Sequence, residues 1–164
     1  MSMRILVYGI NYFPEEIGIA KYSTEMCEWL ADRGHRVEVI TALPSYPLWK
    51  VMDGYRGSGW HSETLNRVEV HRCPVYVPRK VTGLSRVAFE FSFALTSWLR
   101  WMSRFFKKYD VIICVCPPLQ TALPAVFYKV IHKSFLVYHV QDLQMDAAKD
   151  LGLIKNRTLL KTVS

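Results

Sequence analysis

Short apolar runs alternate along this chain with longer segments of helical periodicity, and that alternation limits the folds open to it more than any other feature. "RILVY" (4–8), "HRVEVIT" (35–41), "RVEVHR" (67–72), "DVIICVC" (110–116) and "SFLVYHV" (134–140) have the length and β-branched content of strands. Residues 19–33, 84–107 and 119–133 have helical spacing between them. The first helix places Ile19, Tyr22, Met26, Trp29 and Leu30 on one face and meets its stop signal at Gly34. The third has an internal Pro124. Strand, helix and strand in alternation predict an α/β fold: a Rossmann-like, doubly wound parallel sheet with helices on both faces. Runs such as "VIICV" and "SFLVYHV" suit strands covered from both sides. The 164 residues suffice for one domain with a substantial core.

Composition narrows the partners. A net charge of +7 points to an anionic ligand or surface, either phosphate-bearing molecules or acidic lipids. Nucleic acid is disfavoured, because the basic residues are interleaved with large aromatics in one helix and no nucleic-acid-binding motif is present. The four cysteines, at 27, 73, 114 and 116, have no CxxC spacing. They are expected to be buried reduced thiols rather than metal ligands or disulfides. The chain enters its first strand directly without a leader, so a cytoplasmic location is expected. Asn156 has the character of a helix cap, and "RTLLKTVS" stops inside the helix it would begin, as expected of a fragment.

Three stretches carry candidate chemistry. "GINYFPEEIGIAKY" (9–22) packs Gly9, Pro14, Gly18 and an acidic pair between the first strand and the first helix. Ligands dock at this position in open α/β sheets. The free N–H groups of the following helix, with its dipole, form an anion site suited to a diphosphate. Gly18 would let backbone approach phosphate closely. The alternative is a loop that merely turns the chain. The connection 42–66 is long for a compact domain, which marks it as functional or mobile. Its Tyr46, Trp49 and Tyr55 have the faces to stack on a sugar or a polyprenyl segment. "HVQD" (139–142) ends the last strand at the same rim of the sheet.

The order of these stretches resembles a known family. "GINYFPEEIGIAKYSTEMCEWLADRGHRVEVITALPSYP", "RCPVYVP" (72–78), "FSFALTS" (91–97) and "HVQDLQMDAAKDLGL" (139–153) are similar to GT4-type glycosyltransferases of the colanic-acid and exopolysaccharide biosynthesis kind. Together they span nearly the whole chain. Where similar enzymes usually carry Thr-Gly-Ile-Gly, this chain has Ile17-Gly18-Ile19-Ala20. The resemblance implies a GT-B enzyme of two Rossmann-like domains, of which residues 1–164 form the N-terminal, acceptor-side one. The donor-binding C-terminal domain has no counterpart here. It further implies a nucleotide-sugar as co-substrate, with no other cofactor and no metal, and a saccharide acceptor that is lipid-linked. On that reading Gly18, Ile19, Lys21, Tyr22, Tyr46, Trp49, His139, Gln141 and Asp142 are the candidate substrate-binding residues. No catalytic residue is assigned, because in a retaining transferase of this type the leaving phosphate is thought to take the acceptor proton. Asp142 is then a holder of sugar hydroxyls, a helix cap, or both. Two rival functions stay open: a non-catalytic membrane-anchoring subunit of a split glycosyltransferase, and a flavodoxin-like nucleotide-binding regulatory domain.

The helix over 84–108 raises a separate question. Leu84, Val87, Ala88, Phe91, Leu95, Trp98, Met102 and Phe105 form a stripe wide enough to pack on a sheet. Phe89, Phe93 and Trp101 lie outside it, among Arg86, Arg100, Arg104, Lys107 and Lys108. Glu90 and Arg100 interrupt the apolar run, which argues against a transmembrane span. Surplus aromatics among cations suit a helix lying in the headgroups of an anionic bilayer. Phe89, Phe93, Arg100, Trp101, Arg104, Lys107 and Lys108 are therefore the expected membrane contacts. Burial of the extra aromatics against a further domain or subunit is the alternative.

Overall fold

The computed structural model describes residues 1–57, 59–116 and 122–141. Its elements run β1 (Arg4–Tyr8), α1 (Ile19–Asp32), β2 (Arg36–Ala42), β3 (His61–Leu65), β4 (Val68–Cys73), α2 (Gly83–Arg104), β5 (Val111–Cys116), α3 (Ala122–His132) and β6 (Phe135–Val140). One six-stranded sheet has the order β3-β4-β2-β1-β5-β6. All neighbouring pairs are parallel except β3 with β4. The five expected strands thus form the parallel sheet that was expected, and β3, an additional strand, adds one antiparallel pair at the edge.

The antiparallel pair comes from the long connection. "HSETL" folds back on "VEVHRC" through Asn66 and Arg67, both with positive φ (46° and 67°). A two-residue turn with both φ values positive has the twist that a hairpin needs. β3 is an edge strand of alternating exposure, so it never needed an apolar run. β6, expected to be buried on both faces, is instead the opposite edge among the described residues, and it is half exposed.

Side chains alternate across the sheet and divide the core in two. On one face Ile5, Val7, Val37, Val39, Val70 and Val115 pack against Cys27 and Ala31 of α1. The other face joins Leu6, Tyr8, Ile40 and Ile112 to Phe89, Phe93 and Trp101 of α2 and Ala125 and Tyr128 of α3. All four cysteines are buried, and none of them is in a disulfide.

Both long helices depart from the face their apolar periodicity indicated, α1 only in part, because Ile19, Met26 and Leu30 of its expected face do pack against the core. α1 buries its small residues Ala20, Ser23, Thr24, Cys27 and Ala31 and leaves Tyr22 and Trp29 exposed. Small side chains let the helix lie close to the sheet, and the Arg33 guanidinium covers the Trp29 ring at 3.4 Å. α2 is inverted more completely. Phe89, Phe93, Ser97, Trp101 and Arg104 face inward, whereas the expected core stripe from Leu84 through Phe91, Leu95 and Trp98 to Met102 faces outward.

Tyr8 explains the inversion of α2. Its ring lies 5.4 Å from Phe93 and 5.3 Å from Trp101, and its hydroxyl meets Ser97 Oγ at 2.6 Å. A buried hydroxyl needs such a partner. Phe89, Phe93, Trp101 and Arg104 are therefore core residues and not membrane contacts. Arg100 is half-buried and donates to the His61 carbonyl at 3.1 Å, while Lys107 binds Glu38 at 3.0 Å. Of the expected membrane contacts, Lys108 alone is exposed.

Candidate functional site

The carboxyl ends of the parallel strands open onto one rim, formed by the loop after β1, the loop after β2 and the residue that follows β6. The β1 loop begins at Gly9, where a Cβ would stand 3.0 Å from Val115 Cβ, so the absent side chain allows the loop to leave beside β5. Gly9 N–H donates to Ile40 O, and Ala42 N–H donates to Ile10 O. The loop thereby starts as an extension of the sheet.

Glu15 then ties two loops together. Its Oε1 accepts the backbone N–H of Ser45 at 2.7 Å and of Tyr46 at 2.8 Å, and its Oε2 accepts Asn11 Nδ2 at 2.7 Å. Burial pushes the Glu15 carboxyl above its ordinary pKa, and these three donors only partly offset that push. Arg72, fully buried on β4, donates to Phe13 O at 2.6 Å and to Glu63, and lies 4.7 Å from the Tyr55 ring. Phe13 N–H donates to Thr24 Oγ1 at 3.0 Å, which fastens the loop to α1. The acidic pair of "PEEIG" marked Glu15 in the sequence without giving its partner, 30 residues away.

Gly18 caps α1 with φ 60° and ψ −129°, and no side chain caps the helix there. A Cβ built on Gly18 would meet no atom of the described residues within 4 Å, so the glycine answers to backbone conformation. Among the described residues no side chain accepts from the first-turn N–H groups of α1 at the cap, which is the arrangement that receives an anion. Ile19 is half-buried, while Lys21 and Tyr22 are exposed beside it.

From the far end of the chain, Gln141 reaches the same helix. Its N–H donates to Cys116 O at 3.2 Å, and its Nε2 lies 3.4 Å from Ser23 Oγ in α1. Gln141 Oε1 and Ser45 Oγ are both buried, and neither has a hydrogen-bond partner among the described residues. Buried acceptors left open in this way are uncommon. His139 is half-buried near the end of β6, in register with Val115. Asp142 lies outside the described residues, as does the helix expected from Asn156.

The aromatic candidates separate. Tyr46 is exposed at the rim, next to the backbone that Glu15 holds. Trp49 is instead a loop anchor, half-buried at φ 51° with its ring 5.3 Å from Phe89. The Tyr55 hydroxyl donates to Glu63 at 3.1 Å.

A second polar cluster lies at the amino ends of the strands, away from this rim. Glu38 binds Lys107 Nζ at 3.0 Å and the Tyr109 hydroxyl at 2.8 Å, and lies 3.5 Å from His71 Nε2. Burial raises its pKa, but the hydrogen bonds from Lys107 and Tyr109 and the nearby Lys107 charge outweigh that and hold it down at about 2. Glu38, Glu69 and His71 bring three potential ligand atoms within 4.8 Å of one another. The cations Lys107, Arg104 and Arg4, all within 4 Å of Glu38, make the cluster an ion-pair network rather than a metal centre.

Known proteins share this architecture. The catalytic domain of starch synthase IV from Arabidopsis thaliana, solved with ADP and acarbose, superposes with a TM-score of 0.53 at 18% identity. The match covers 78% of this chain and 30% of that one, and it shows the GT-B type of fold. In sequence, the chain is 44% identical over 152 residues to an Escherichia coli (strain K12) protein named as a colanic acid biosynthesis glycosyl transferase, WcaI. That alignment takes in 92% of this chain and 37% of the relative, so the chain spans little more than a third of the relative's length. The glycosyl transferase 4-like domain matches residues 18–161, which run from the cap of α1 past the end of β6. The chain belongs to the glycosyl transferase 4-like domain family.

Proposed function

We propose that this chain is the acceptor-side domain of a retaining glycosyltransferase that moves a sugar from a nucleotide-sugar to a lipid-linked saccharide in polysaccharide assembly. The observation that carries the reading is the rim itself: an α1 N-terminus at Gly18 with no side-chain cap among the described residues, and the unsatisfied Oε1 of Gln141, whose Nε2 lies 3.4 Å from Ser23 Oγ of the same helix. The uncapped N–H groups suit the donor's diphosphate. Gln141, with His139 and Asp142, suits sugar hydroxyls, and exposed Tyr46 offers a ring face to the acceptor. The acceptor hydroxyl attacks the anomeric carbon as the bond to the nucleotide diphosphate breaks on the same face, and the leaving phosphate takes the hydroxyl proton. A second Rossmann-like domain closes the cleft and supplies the remaining donor contacts, so residues 1–164 alone are expected to be inactive. The domain works at the cytoplasmic face of the membrane that holds the lipid-linked acceptor. None of the described helices is long and apolar enough to cross that membrane.

The test is a transfer assay with the full-length protein, a panel of nucleotide-sugars and a lipid-linked acceptor, reading the anomeric configuration of the product by NMR. Transfer with retention, lost in Gln141→Ala at unchanged melting temperature, is the expected result. Failure to consume any nucleotide-sugar, or an inverted product, overturns the reading.

A further inference from the structure

α2 and α3 lie side by side on one face of the sheet, and both carry large apolar side chains on the side facing away from it. On α2 Phe91, Leu95, Trp98 and Met102 point outward, and on α3 Phe127 and Val130 do the same. Between the helices lies an apolar groove of about 330 Å³, floored by Trp101, Phe105 and Pro124. Monomeric soluble proteins rarely expose contiguous apolar patches beyond a few hundred Å². Cations border the patch at its ends: Arg79 and Lys80 are exposed before α2, Lys108 just after it, and Lys129 and Lys133 in and after the last turn of α3. The chain as a whole carries a net charge of +7.

We infer that this α2–α3 face inserts into the headgroup and upper acyl region of an anionic bilayer, with the groove between the helices taking lipid hydrocarbon. The inference rests on the reading of a lipid-linked acceptor. It moves the membrane contact from Phe89, Phe93 and Trp101 to the opposite side of the same helix. At 1.5 Å per residue, α2 is about 33 Å long and presents its apolar stripe along that length. A helix of this kind lies in the plane of the interface. A single partner helix would cover one seam, whereas the apolar surface here is two helices wide with a groove between them. A bilayer covers both helices at once, and its anionic headgroups meet the cations at the helix ends.

The experiment is sedimentation of the full-length protein with vesicles of phosphatidylglycerol and phosphatidylethanolamine, and with phosphatidylcholine vesicles as the neutral control. Binding is expected to the anionic vesicles, weaker in 1 M than in 0.1 M salt because the Debye length falls from about 10 Å to about 3 Å. Phe91→Ser with Leu95→Ser is expected to lower the partition coefficient at least tenfold, while Phe89, on the buried side, stays untouched. A melting temperature within a few degrees of wild type separates lost insertion from lost folding. If the double variant unfolds, Leu95→Gln alone gives the same reading. Transfer to a water-soluble, short-chain acceptor, assayed in parallel, distinguishes the two proposals. Unchanged transfer with lost vesicle binding supports insertion, and transfer without any vesicle binding by wild type overturns insertion while leaving the catalytic reading intact. Equal vesicle binding by wild type and variant overturns it too. So does a dimer in analytical ultracentrifugation that the variant abolishes without changing vesicle binding, which would make the face a self-association surface.

Discussion

Arg104 Nη2 donates to His71 Nε2 across 2.6 Å, from the last turn of α2 to the middle of β4. The guanidinium donates, so the imidazole nitrogen accepts, and His71 Nδ1 is free to donate to Ser62 Oγ at 3.0 Å. Arg104 also lies 3.6 Å from Glu38, and both side chains are about nine-tenths buried. Removing one partner of such a group strands the others in a dry site. Arg104→Ala is therefore expected to cost about 3–5 kcal/mol of unfolding free energy, measured by urea denaturation. A loss below about 1 kcal/mol would show that water replaces the guanidinium without penalty.

Glu38 makes the same cluster pH-sensitive. Its folded pKa of about 2 lies below the ordinary 4.5, so the unfolded chain binds the extra proton between those values. Stability from this group is fully present above about pH 5 and is lost as pH falls towards 2, by on the order of 3 kcal/mol. Denaturation midpoints followed from pH 6 to pH 2.5 should fall steeply in wild type and less steeply in Glu38→Gln. Parallel slopes would place the acid sensitivity elsewhere.

Glu15 carries the opposite sign. Burial raises its pKa, so the folded chain holds the proton more tightly and this group's contribution declines as pH rises through the carboxylate range. Glu15→Gln keeps an acceptor for Ser45 and Tyr46 and removes that decline, so a change within about 1 kcal/mol is expected. Glu15→Ala leaves both N–H groups without their carboxylate and should cost about 1–3 kcal/mol. Hydrogen exchange at the amides of Ser45 and Tyr46 gives a local readout, fast in the Ala variant and protected in the Gln variant. Equal protection in both would show that the clasp is dispensable.

The sequence made some of this legible and hid the rest for physical reasons. β1, β2, β4 and β5 are legible to within about a residue, because central parallel strands must be largely apolar and the chain offers few such runs. β6 is legible by the same kind of apolar run, although it lies at the edge among the described residues. "HSETL" was missed because an edge strand needs no such run; the Asn66-Arg67 turn was its only local sign. The rim was legible through Gly18 and the order of the motifs. Its framework was not, since the Glu15–Tyr46 and Arg72–Phe13 bonds join residues 31 and 59 positions apart. α2 misled for a different reason. It has two apolar faces, and the inward one includes Ser97 and Arg104, which count as polar until Tyr8 and His71 are seen to satisfy them.

Gly18 gives a prediction about the rim. At φ 60° and ψ −129°, a side chain strains the backbone even though no atom of the described residues stands within 4 Å to clash with it. Gly18→Ala is expected to cost about 1–3 kcal/mol if the loop keeps its shape. If the loop relaxes instead, stability is kept and the first-turn N–H groups shift. Transfer rate and melting temperature measured together separate these outcomes, and a variant normal in both would remove Gly18 from the site.

The two faces of α2 can be told apart by stability alone. Phe93 is fully buried against Tyr8, whereas Phe91, two residues earlier, is 62% exposed. Truncating a buried phenylalanine removes its transfer free energy and leaves a cavity that the surrounding rings cannot fill, so Phe93→Ala should cost about 3–5 kcal/mol. Phe91→Ala leaves no cavity, and surface substitutions usually stay within about 0.5 kcal/mol. The contrast, read from urea midpoints at equal m-values, uses two identical residue types on one helix, so helix propensity cancels. Equal losses would mean that another part of the protein covers the outward face and buries Phe91 as well. A larger loss at Phe91 than at Phe93 would restore the orientation that periodicity first indicated.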